Sequence, residues 1–395
     1  PGATNLVTGS ANACFDSVPL VCITGQVATH LIGNDAFQEV DVVGITRGVT
    51  KYAKTVTQRE ELSEELKKAF IVARTGRPGP VVIDVPKDVQ VAIGSEAYPE
   101  TLHLRGYKPN EKTHIGQVRR ALSLLQAAER PLLLIGGGVK IAAAEKELLA
   151  FVQRSKFPVV STMMGKGALD TRNSFYIGNV GMHGHVAANW AVNHCDLLLS
   201  IGCRFNDRIT GKNGTFARKA TIVHVDIDPA SISRNLDVDV PIVGDAKDFL
   251  QKALERMSML PDWTRWLEQV RQKKDDHPLQ MDCRYGITPQ RIFAGLNHVF
   301  AGSATFTADV GQNQLWASQY LDLAPDRRMF SSGGLGTMGY GLPAAIGVQI
   351  ADRKRDVICI AGDGGFQMNI QELTTAVINQ LPITICLFNN AFLGN

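Results

Sequence analysis

The sequence is divided by short, almost wholly apolar segments, each followed by a glycine-rich or polar turn and then by a stretch with helical spacing. Eight such segments lie at 18–25, 79–86, 130–138, 157–162, 195–202, 220–229, 356–364 and 381–390. Apolar runs of this length are typical of strands buried on both faces of a parallel sheet. Between them, for example at 112–129 and 143–156, apolar residues recur with a helical period. The pattern predicts an α/β fold built on parallel sheets.

Two polar stretches without strand-like segments interrupt this alternation, at 94–112 and 261–286. We interpret both as linkers. They divide the chain into three predicted α/β units at 1–93, 113–256 and 287–395. A chain of 395 residues with 45% hydrophobic residues is long enough for two or three separate cores.

Composition narrows the class of protein. Lys and Arg (41) nearly balance Asp and Glu (38), and no long block carries one sign of charge, so neither nucleic acid nor an anionic membrane is expected as a partner. The chain shows no apolar run of roughly 18 residues and no signal peptide, which favours a cytoplasmic protein that acts on small molecules. Seven cysteines without a CxxC pair, several inside apolar runs, indicate no disulfide framework.

Two polar motifs end successive apolar segments near the end of the chain. Asp363 lies in a Gly-Asp-Gly turn, and Asn390 closes the segment at 381–390. A helix is predicted between them over 366–380, with one face formed by Phe366, Ile370, Leu373 and Val377. If the two strands are neighbours in a right-handed crossover, their carboxyl ends lie about 5 Å apart. Asp363 and Asn390 would then face the same crevice.

A carboxylate, an amide oxygen and a backbone carbonyl can hold Mg²⁺ and leave positions open for diphosphate oxygens. The backbone N–H groups of Gly362, Gly364 and Gly365, at a helix N-terminus, would bind the same anion. The alternative is that one motif is only a tight turn and the other only a strand end. Their spacing and context together favour a metal–diphosphate site.

The order of these motifs resembles the thiamin diphosphate (thiamine pyrophosphate) signature. That resemblance implies that Mg²⁺ is held by Asp363, Asn390 and the backbone carbonyl of Phe392. Nearly the whole chain resembles the large, catalytic subunit of acetolactate synthase (acetohydroxyacid synthase). The similarity lies in "PGATNLVTG", "VPLVCITGQV", "IGNDAFQEVDVVGITR", "ARTGRPGPVVIDVPKDVQ", "GMHGHVAANWAVNHCDLLLSIGCRFNDRITGK", "IVHVDIDPASI" and "SSGGLGTMGYGLPAAIG".

The resemblance assigns roles in all three units, those of a pyrimidine-binding, an FAD-binding and a diphosphate-binding domain. In the third unit, Gly311, Gln312 and Asn313 would hold the diphosphate, and Met338 would be the apolar wedge that bends the cofactor. In the first unit, the residues that would line the substrate funnel are Phe37, Gln38 and Lys87. In the middle unit, the residues that would face the funnel and a flavin are Met182, His183 and Arg208. Arg208 is the candidate for the second substrate's carboxylate, since a guanidinium suits a planar oxyanion pair.

A second cofactor, FAD, is implied for the middle unit. The turn at Gly136, Gly137 and Gly138 allows close approach of a dinucleotide, although a crowded strand-to-helix turn would also need these glycines. The acidic residues of "DIDP" and "VGD", Asp226, Asp228 and Asp245, resemble flavin-binding positions. Asp226 and Asp228 could instead cap a helix. In this family the flavin is structural.

The implied reaction is decarboxylation of pyruvate and transfer of the two-carbon unit to pyruvate or 2-oxobutanoate, in the synthesis of branched-chain amino acids. A homodimer or tetramer is implied, with a small regulatory subunit as a possible partner. The alternatives are glyoxylate carboligase, a flavin-free catabolic acetolactate synthase, and a non-catalytic homologue. A metal pair at His183 and His185 is disfavoured, because i, i+2 spacing does not place two ligands on one helical face.

Several features depart from the family pattern. Asn313 stands where His is common, Asn206 where Asp is common, and Ala28 where Pro often follows "GQV". The chain starts at Pro1 and stops in "FLGN" directly after a strand, which indicates a fragment. The resemblance implies that the activating glutamate lies upstream of Pro1 and a substrate-selecting segment beyond Asn395. The chain as given is therefore expected to be inactive or nearly so.

Overall fold

A computed structural model describes residues 1–95, 97–281 and 286–394. It contains three sheets in which every described strand pairing is parallel, so the predicted fold class is confirmed. The chain forms two compact units. The first comprises Pro1–Pro109 with Gly333–Gly336, and the second comprises Asn110–Ser332 with the chain from Thr337 onwards. The predicted middle and third units thus belong to one compact unit.

The first unit has a sheet of three strands in the order β1-β3-β2. These strands are β1 (Leu20–Gln26), β2 (Tyr52–Thr55) and β3 (Pro80–Pro86). The helices are α1 (Gly2–Asp16), α2 (Val42–Thr46), α3 (Leu62–Arg74) and α4 (Lys87–Val91). Every residue of the central strand β3 is buried. Its apolar run therefore reflects a strand covered on both faces.

A buried carboxylate on the central strand accepts hydrogen bonds from both neighbouring strands of this sheet. Asp84 on β3 lies in register with Thr24 on β1 and with Thr55 on β2. Both hydroxyls donate to it, Thr24 Oγ1 over 2.7 Å and Thr55 Oγ1 over 3.2 Å. Gln26 Nε2 donates over 3.1 Å. Because Asp84 is fully buried, these donors replace the water that a carboxylate would otherwise need.

The middle sheet has the order β6-β5-β4-β7-β8-β9. Its strands are β4 (Pro131–Ile135), β5 (Val159–Ser161), β6 (Tyr176–Asn179), β7 (Leu197–Ile201), β8 (Thr221–Asp226) and β9 (Val240–Val243). Its helices are α5 (Ile115–Ala127), α6 (Gly137–Ile141), α7 (Glu145–Ser155), α8 (Val186–His194), α9 (Asp207–Thr210), α10 (Ala246–Arg256) and α11 (Thr264–Asp276). The two helices predicted at 112–129 and 143–156 are confirmed as α5 and α7.

The predicted linker at 261–286 is wrong over its first half, because α11 occupies it. Trp266, Leu267 and Val270 on this helix are buried in the core of the middle sheet. The Trp266 indole donates to the Pro131 carbonyl at the start of β4 over 2.9 Å. The charged residues of α11 concealed this apolar face in the sequence. Residues 282–285 lie outside the described residues.

The other predicted linker, 94–112, contains no helix or strand in its described part, which excludes Glu96. Leu104 and Tyr107 within it pack against the core of the first unit. The division between the two compact units falls at Pro109 and Asn110, inside this stretch.

The third sheet has the order β11-β10-β12-β13. Its strands are β10 (Ala304–Ala308), β11 (Arg328–Ser331), β12 (Asp356–Gly362) and β13 (Thr384–Phe388). Its helices are α12 (Pro289–Val299), α13 (Gln312–Tyr320), α14 (Gly341–Ala351), α15 (Asp363–Met368) and α16 (Leu373–Ile378). β12 and β13 are parallel neighbours that pair Gly362 with Phe388, as the crossover argument requires.

The single helix predicted over 366–380 is wrong. α15 ends at Met368, a 3-10 turn follows over Ile370–Glu372, and α16 begins at Leu373. Asn369 between them has φ −136° and ψ 27°, outside the helical region. This break rotates the second half, so Phe366 and Leu373 pack on the core whereas Ile370 and Val377 are exposed.

A buried lysine joins the middle sheet to α13. Lys166 Nζ donates to the Ser318 carbonyl over 2.7 Å, and Asn179 Nδ2 donates to the same oxygen over 2.7 Å. Carbonyls of a helix's last turn lack partners within the helix and carry the negative end of its dipole, so they suit a cation. Burial nevertheless lowers the pKa of Lys166 to about 7.

Replacing Asp84 with Ala should destabilise the first unit by roughly 3 kcal/mol, since the donors of Thr24, which is buried, and of Gln26 and Thr55, which are half-buried, would lose their acceptor. Urea unfolding followed by circular dichroism measures this. Glu64→Ala, at an exposed carboxylate on α3, is the control and should change stability by less than about 0.5 kcal/mol. Equal effects of the two substitutions would contradict the bridging role of Asp84.

Lys166→Met should change how stability depends on pH. The folded-state pKa of Lys166, about 7, lies below its unfolded value of about 10.4. Between these values the unfolded chain holds a proton that the folded chain lacks, so the wild type gains stability as pH rises. Between pH 7 and about pH 9 the free energy of unfolding of the wild type should therefore rise relative to that of Lys166→Met. Urea unfolding at each pH measures this difference. Lys146→Met, at an exposed lysine on α7, should follow the wild type. Parallel curves for all three proteins would refute the assignment.

Candidate functional site

Three loops meet at the carboxyl edge of the third sheet. They follow β10, β12 and β13, which lie side by side in that sheet. Because the three strands are parallel, the first residues after each lie at the same edge. Asp309 to Gly311 lead from β10 into α13, Gly362 leads from β12 into α15, and Asn389 and Asn390 follow β13. Strand order therefore brings the predicted metal and diphosphate residues together.

Asp363 and Asn390 offer the oxygens that the sequence predicts for a metal. Asp363 is the first residue of α15 and is half-buried. Asn390 is exposed; its Nδ2 donates to Gln312 Oε1 over 3.0 Å, and its Oδ1 accepts from Phe392 N over 3.3 Å. Asn390, two residues beyond β13, thus contacts the first residue of α13. Within the described residues there is no group of three or more His, Cys, Asp and Glu that could hold a metal. The predicted site, with one carboxylate, does not require such a group.

The glycines of this site are closely approached by neighbouring side chains. A Cβ added at Gly365 would lie 2.5 Å from Asp309 Oδ1, and one at Gly362 would lie 3.1 Å from Asn313 Oδ1. A Cβ at Gly364 would overlap Leu393 and would lie 3.8 Å from Met338 Cε. The Met338 side chain thus lies beside the Gly-Asp-Gly turn. A side chain at Gly364 or Gly365 would collide with Leu393 or Asp309, so the packing of this turn requires glycines there.

The side chain of Asn313 forms hydrogen bonds within the fold, a structural role that the sequence did not predict. It is buried, and its Nδ2 donates to the Asp309 carbonyl over 2.8 Å and to the Ile360 carbonyl over 3.3 Å. Gly311, with φ +139°, adopts a conformation that a side chain would strain. Asn313 therefore links the ends of β10 and β12. Its contact with a diphosphate stays a prediction.

Asp309 was not among the residues predicted from the sequence. It is buried directly after β10 and accepts hydrogen bonds from the backbone N–H groups of Val310, Gly339 and Gly341 over 2.7, 3.0 and 2.9 Å. Burial raises the pKa of its carboxyl group, and the three N–H donors oppose that rise. The motif "DVGQNQ" at 309–314 contains Asp309 and could have indicated it. Because β10 was not predicted, however, Asp309 could not be placed at the end of a strand.

The residues of the middle unit that are predicted to face the substrate funnel lie on the loop after β6 and on the short helix α9. Met182 N donates to the Arg208 carbonyl over 2.9 Å, and Arg208 Nη1 lies 3.5 Å from Met182 Sδ. Gln319 Nε2 on α13 donates to the His183 carbonyl over 3.1 Å. The Arg208 side chain is two-thirds exposed, so its guanidinium is accessible to a carboxylate.

The remaining histidine of this loop is structural. His185 Nδ1 accepts from Asn179 N over 3.1 Å, and burial lowers the pKa of His185 to about 4. Its ring also lies where a Cβ at Gly178 would be.

Phe37, Gln38 and Lys87 belong to the first compact unit. Phe37 is 89% exposed, Gln38 has φ +63°, and Lys87 is the exposed first residue of α4. Their role in the substrate funnel stays a prediction.

The glycine turn of the predicted flavin site is crowded by backbone. Gly136 N donates to the Ile201 carbonyl over 2.9 Å, and Gly138 N donates to the Gly202 carbonyl over 3.1 Å. A Cβ at Gly136 would overlap the Gly202 carbonyl, whereas one at Gly137 would lie 3.2 Å from Met164 Cβ. Packing alone therefore accounts for Gly136 and Gly138, as the crowded-turn alternative proposes.

The acidic residues near this turn also have structural partners. Asp228 caps the 3-10 turn Pro229–Ser231 by accepting from Ala230 N over 3.0 Å. Asp245 caps α10 by accepting from Lys247 N over 2.8 Å, and Asp226 accepts from Asp228 N over 2.9 Å.

By contrast, Asn206 Oδ1 is buried and has no hydrogen-bond partner among the described residues. A ligand that brings a hydroxyl or N–H donor would satisfy this oxygen, which fits a flavin cofactor.

Comparisons with known proteins identify the family to which the three parts of the chain are similar. Residues 118–253 match the family described as "Thiamine pyrophosphate enzyme, central domain". Residues 309–395 match its "C-terminal TPP binding domain", and residues 1–45 match its "N-terminal TPP binding domain".

Curated relatives are similar over the whole chain. A probable acetolactate synthase large subunit of Methanocaldococcus jannaschii is 46% identical, with 100% of this chain and 69% of the relative covered. The acetolactate synthase isozyme 3 large subunit of Escherichia coli is 44% identical, and the acetolactate synthase large subunit of Haemophilus influenzae 43%. Each of these two is covered over 70% of its length. Identity at this level along its full length shows that the chain belongs to the acetolactate synthase large-subunit family of thiamine pyrophosphate enzymes.

Proposed function

We propose that this chain belongs to a catalytic subunit that carries out the acetolactate synthase reaction. Pyruvate loses CO₂, and the two-carbon unit that remains is joined to a second 2-oxo acid, pyruvate or 2-oxobutanoate, in the synthesis of branched-chain amino acids. The observation that supports this most strongly is that Asp363 and Asn390 follow the neighbouring strands β12 and β13, while Met338 lies beside the Gly-Asp-Gly turn. These residues lie in a chain that is 43–46% identical to acetolactate synthase large subunits.

The residues of this site fit thiamin diphosphate with Mg²⁺. The Asp363 carboxylate, the Asn390 amide oxygen and the Phe392 carbonyl are hard oxygen donors that suit Mg²⁺. The backbone N–H groups at the start of α15, which begins at Asp363, would bind the diphosphate. Thiamin diphosphate supplies the carbon nucleophile and the electron sink that decarboxylation of a 2-oxo acid requires.

The protein's own contribution is to bind and orient the reactants. Gln312 holds Asn390 by a hydrogen bond, which fixes the amide at the end of β13. Met338 presents an apolar side chain beside Gly364, where it would contact the bound cofactor. An apolar wall also excludes water, which strengthens electrostatic contacts in the site.

Two cations are proposed for the substrate carboxylates. Arg208 has an accessible guanidinium that can bind a carboxylate in a bidentate way. Lys87 is exposed at the start of α4 and would attract an anionic 2-oxo acid.

FAD is proposed as a structural cofactor of the middle sheet. The unpartnered Asn206 Oδ1 supports this, because a hydroxyl or N–H donor of a flavin could reach a buried acceptor there. The glycine turn supports it less, since packing already explains Gly136 and Gly138.

The names of the relatives suggest a partner. Because those relatives are named large subunits, we infer a small regulatory subunit as a partner, together with assembly of the chain into a homodimer or tetramer. Within the described residues, no helix combines the length and apolar character that crossing a membrane requires. We retain the cytoplasm as the proposed location.

The function is tested by incubating the full-length natural protein with pyruvate, thiamin diphosphate and Mg²⁺, and by measuring acetolactate and bound flavin in one sample. We expect acetolactate and bound FAD. Acetolactate without flavin would instead support a catabolic synthase, and condensation of glyoxylate alone would support glyoxylate carboligase. Cofactor binding without any product would support a non-catalytic homologue.

Asp363→Ala should weaken Mg²⁺-dependent binding of thiamin diphosphate at least about 10- to 100-fold, because the site loses its only predicted carboxylate ligand. Calorimetric titration with the cofactor at fixed Mg²⁺ measures this. Asp356→Ala is the matched control, because Asp356 is an exposed carboxylate at the opposite end of the same strand. If Asp363→Ala binds the cofactor as tightly as Asp356→Ala does, the metal assignment is wrong.

A further inference from the structure

The turn at residues 337–341 carries Met338 and is held by side chains that belong to other elements. Asp309 accepts from two of its N–H groups, that of Gly339 through Oδ1 over 3.0 Å and that of Gly341 through Oδ2 over 2.9 Å. One carboxylate after β10 thus binds the backbone on the carboxyl side of Met338 at two points.

The carbonyls of the same two glycines are also bound. Asn369 Nδ2 donates to the Gly339 carbonyl over 2.7 Å, and Thr307 Oγ1 donates to the Gly341 carbonyl over 2.9 Å. Gly339 is buried with φ +85°, and a Cβ there would lie 2.6 Å from Asn369 Nδ2. The amide of Asn369 therefore lies directly against the turn.

The position of Asn369 depends on the break between α15 and the 3-10 turn. Its φ of −136° takes it out of the helix that begins at Asp363. The helix that follows the Gly-Asp-Gly turn is consequently connected to the turn that carries Met338. Met338 Cε in turn lies 3.8 Å from where a Cβ of Gly364 would be.

We propose that Asp309 and Asn369 are positioning residues which together hold Met338 against the Gly-Asp-Gly turn. We refer to Asp309, Asn369 and the backbone of Gly339 and Gly341 as the Met338 clamp. Neither side chain needs to touch a ligand. This inference rests on the proposed function, because it concerns the pocket of the proposed cofactor. The clamp sets the shape of that pocket, whereas other residues set the affinity for the metal and the diphosphate.

The first test uses the protein without cofactor. Hydrogen–deuterium exchange is followed by mass spectrometry on the peptide that contains residues 337–341. Asn369→Ala should raise its exchange about 3- to 10-fold, since one hydrogen bond that opposes local opening is lost. Asn379→Ala is the matched control, because its Nδ2 also donates to a backbone carbonyl, that of Thr375 over 2.8 Å, at another place in the fold. Equal exchange in the two variants would overturn the clamp.

The second test separates the shape of the pocket from cofactor affinity. Asn369→Asp keeps the size of the side chain but replaces the N–H donor with a charged acceptor, so its effect reports the loss of the donor and the added charge, and not a change in packing volume. In the full-length protein loaded with thiamin diphosphate and Mg²⁺, deuterium exchange at the thiazolium carbon should slow at least about tenfold. The affinity for the cofactor should stay within about threefold, because Asp363 and Asn390 are intact.

The outcomes distinguish the two proposals. A wild-type protein that binds no thiamin diphosphate would contradict the proposed function, and the clamp would then be judged by peptide exchange alone. If the wild type binds and activates the cofactor, the clamp would be overturned, and the function left standing, by two results: Asn369→Ala matching Asn379→Ala in peptide exchange, and Asn369→Asp matching the wild type in exchange at the thiazolium carbon. A loss of affinity that equals the loss of activation would also overturn the clamp, since the role would then be in binding.

Discussion

The parallel pairing of buried strands is the constraint on which the site depends. A strand covered on both faces must satisfy its backbone groups through its neighbours, and in a parallel sheet all strands then end at one edge. In the third sheet this edge collects the residues that follow β10, β12 and β13. Gln312 and Asn390, 78 positions apart in the chain, form a hydrogen bond there. No local property of either residue would bring them together.

Buried aspartates keep these edges in place in two of the three sheets. Asp84 bridges all three strands of the first sheet through Thr24 and Thr55, and Asp309 connects the end of β10 to Gly339 and Gly341. A buried carboxylate is tolerated only with several donors, so each aspartate imposes a position on the groups around it. Loops that would otherwise be held only by their ends are thereby fixed at internal points as well.

The sequence predicted the elements whose apolar pattern is long and uninterrupted. All eight apolar segments became strands, since hydrophobic burial on both faces does not depend on which strands are neighbours. The strands it missed, β2, β6, β9, β10 and β11, are four or five residues long, and several contain hydroxyl or charged side chains. α11 was missed because its charged residues outnumber the few that pack on the core. In such elements tertiary contacts outweigh local propensity.

The order of chemical groups was readable from the sequence alone: a carboxylate after one strand, an amide after the next, and glycines where a backbone must be approached. These are local features, so the α/β class and the candidate metal ligands could be inferred without coordinates. The tertiary structure alone decided the order of the strands, the break at Asn369 and the contacts of Asp309 with Gly339 and Gly341. Each of these results from packing between segments that are distant in the chain, and a pattern of period two or 3.6 carries no information about such contacts.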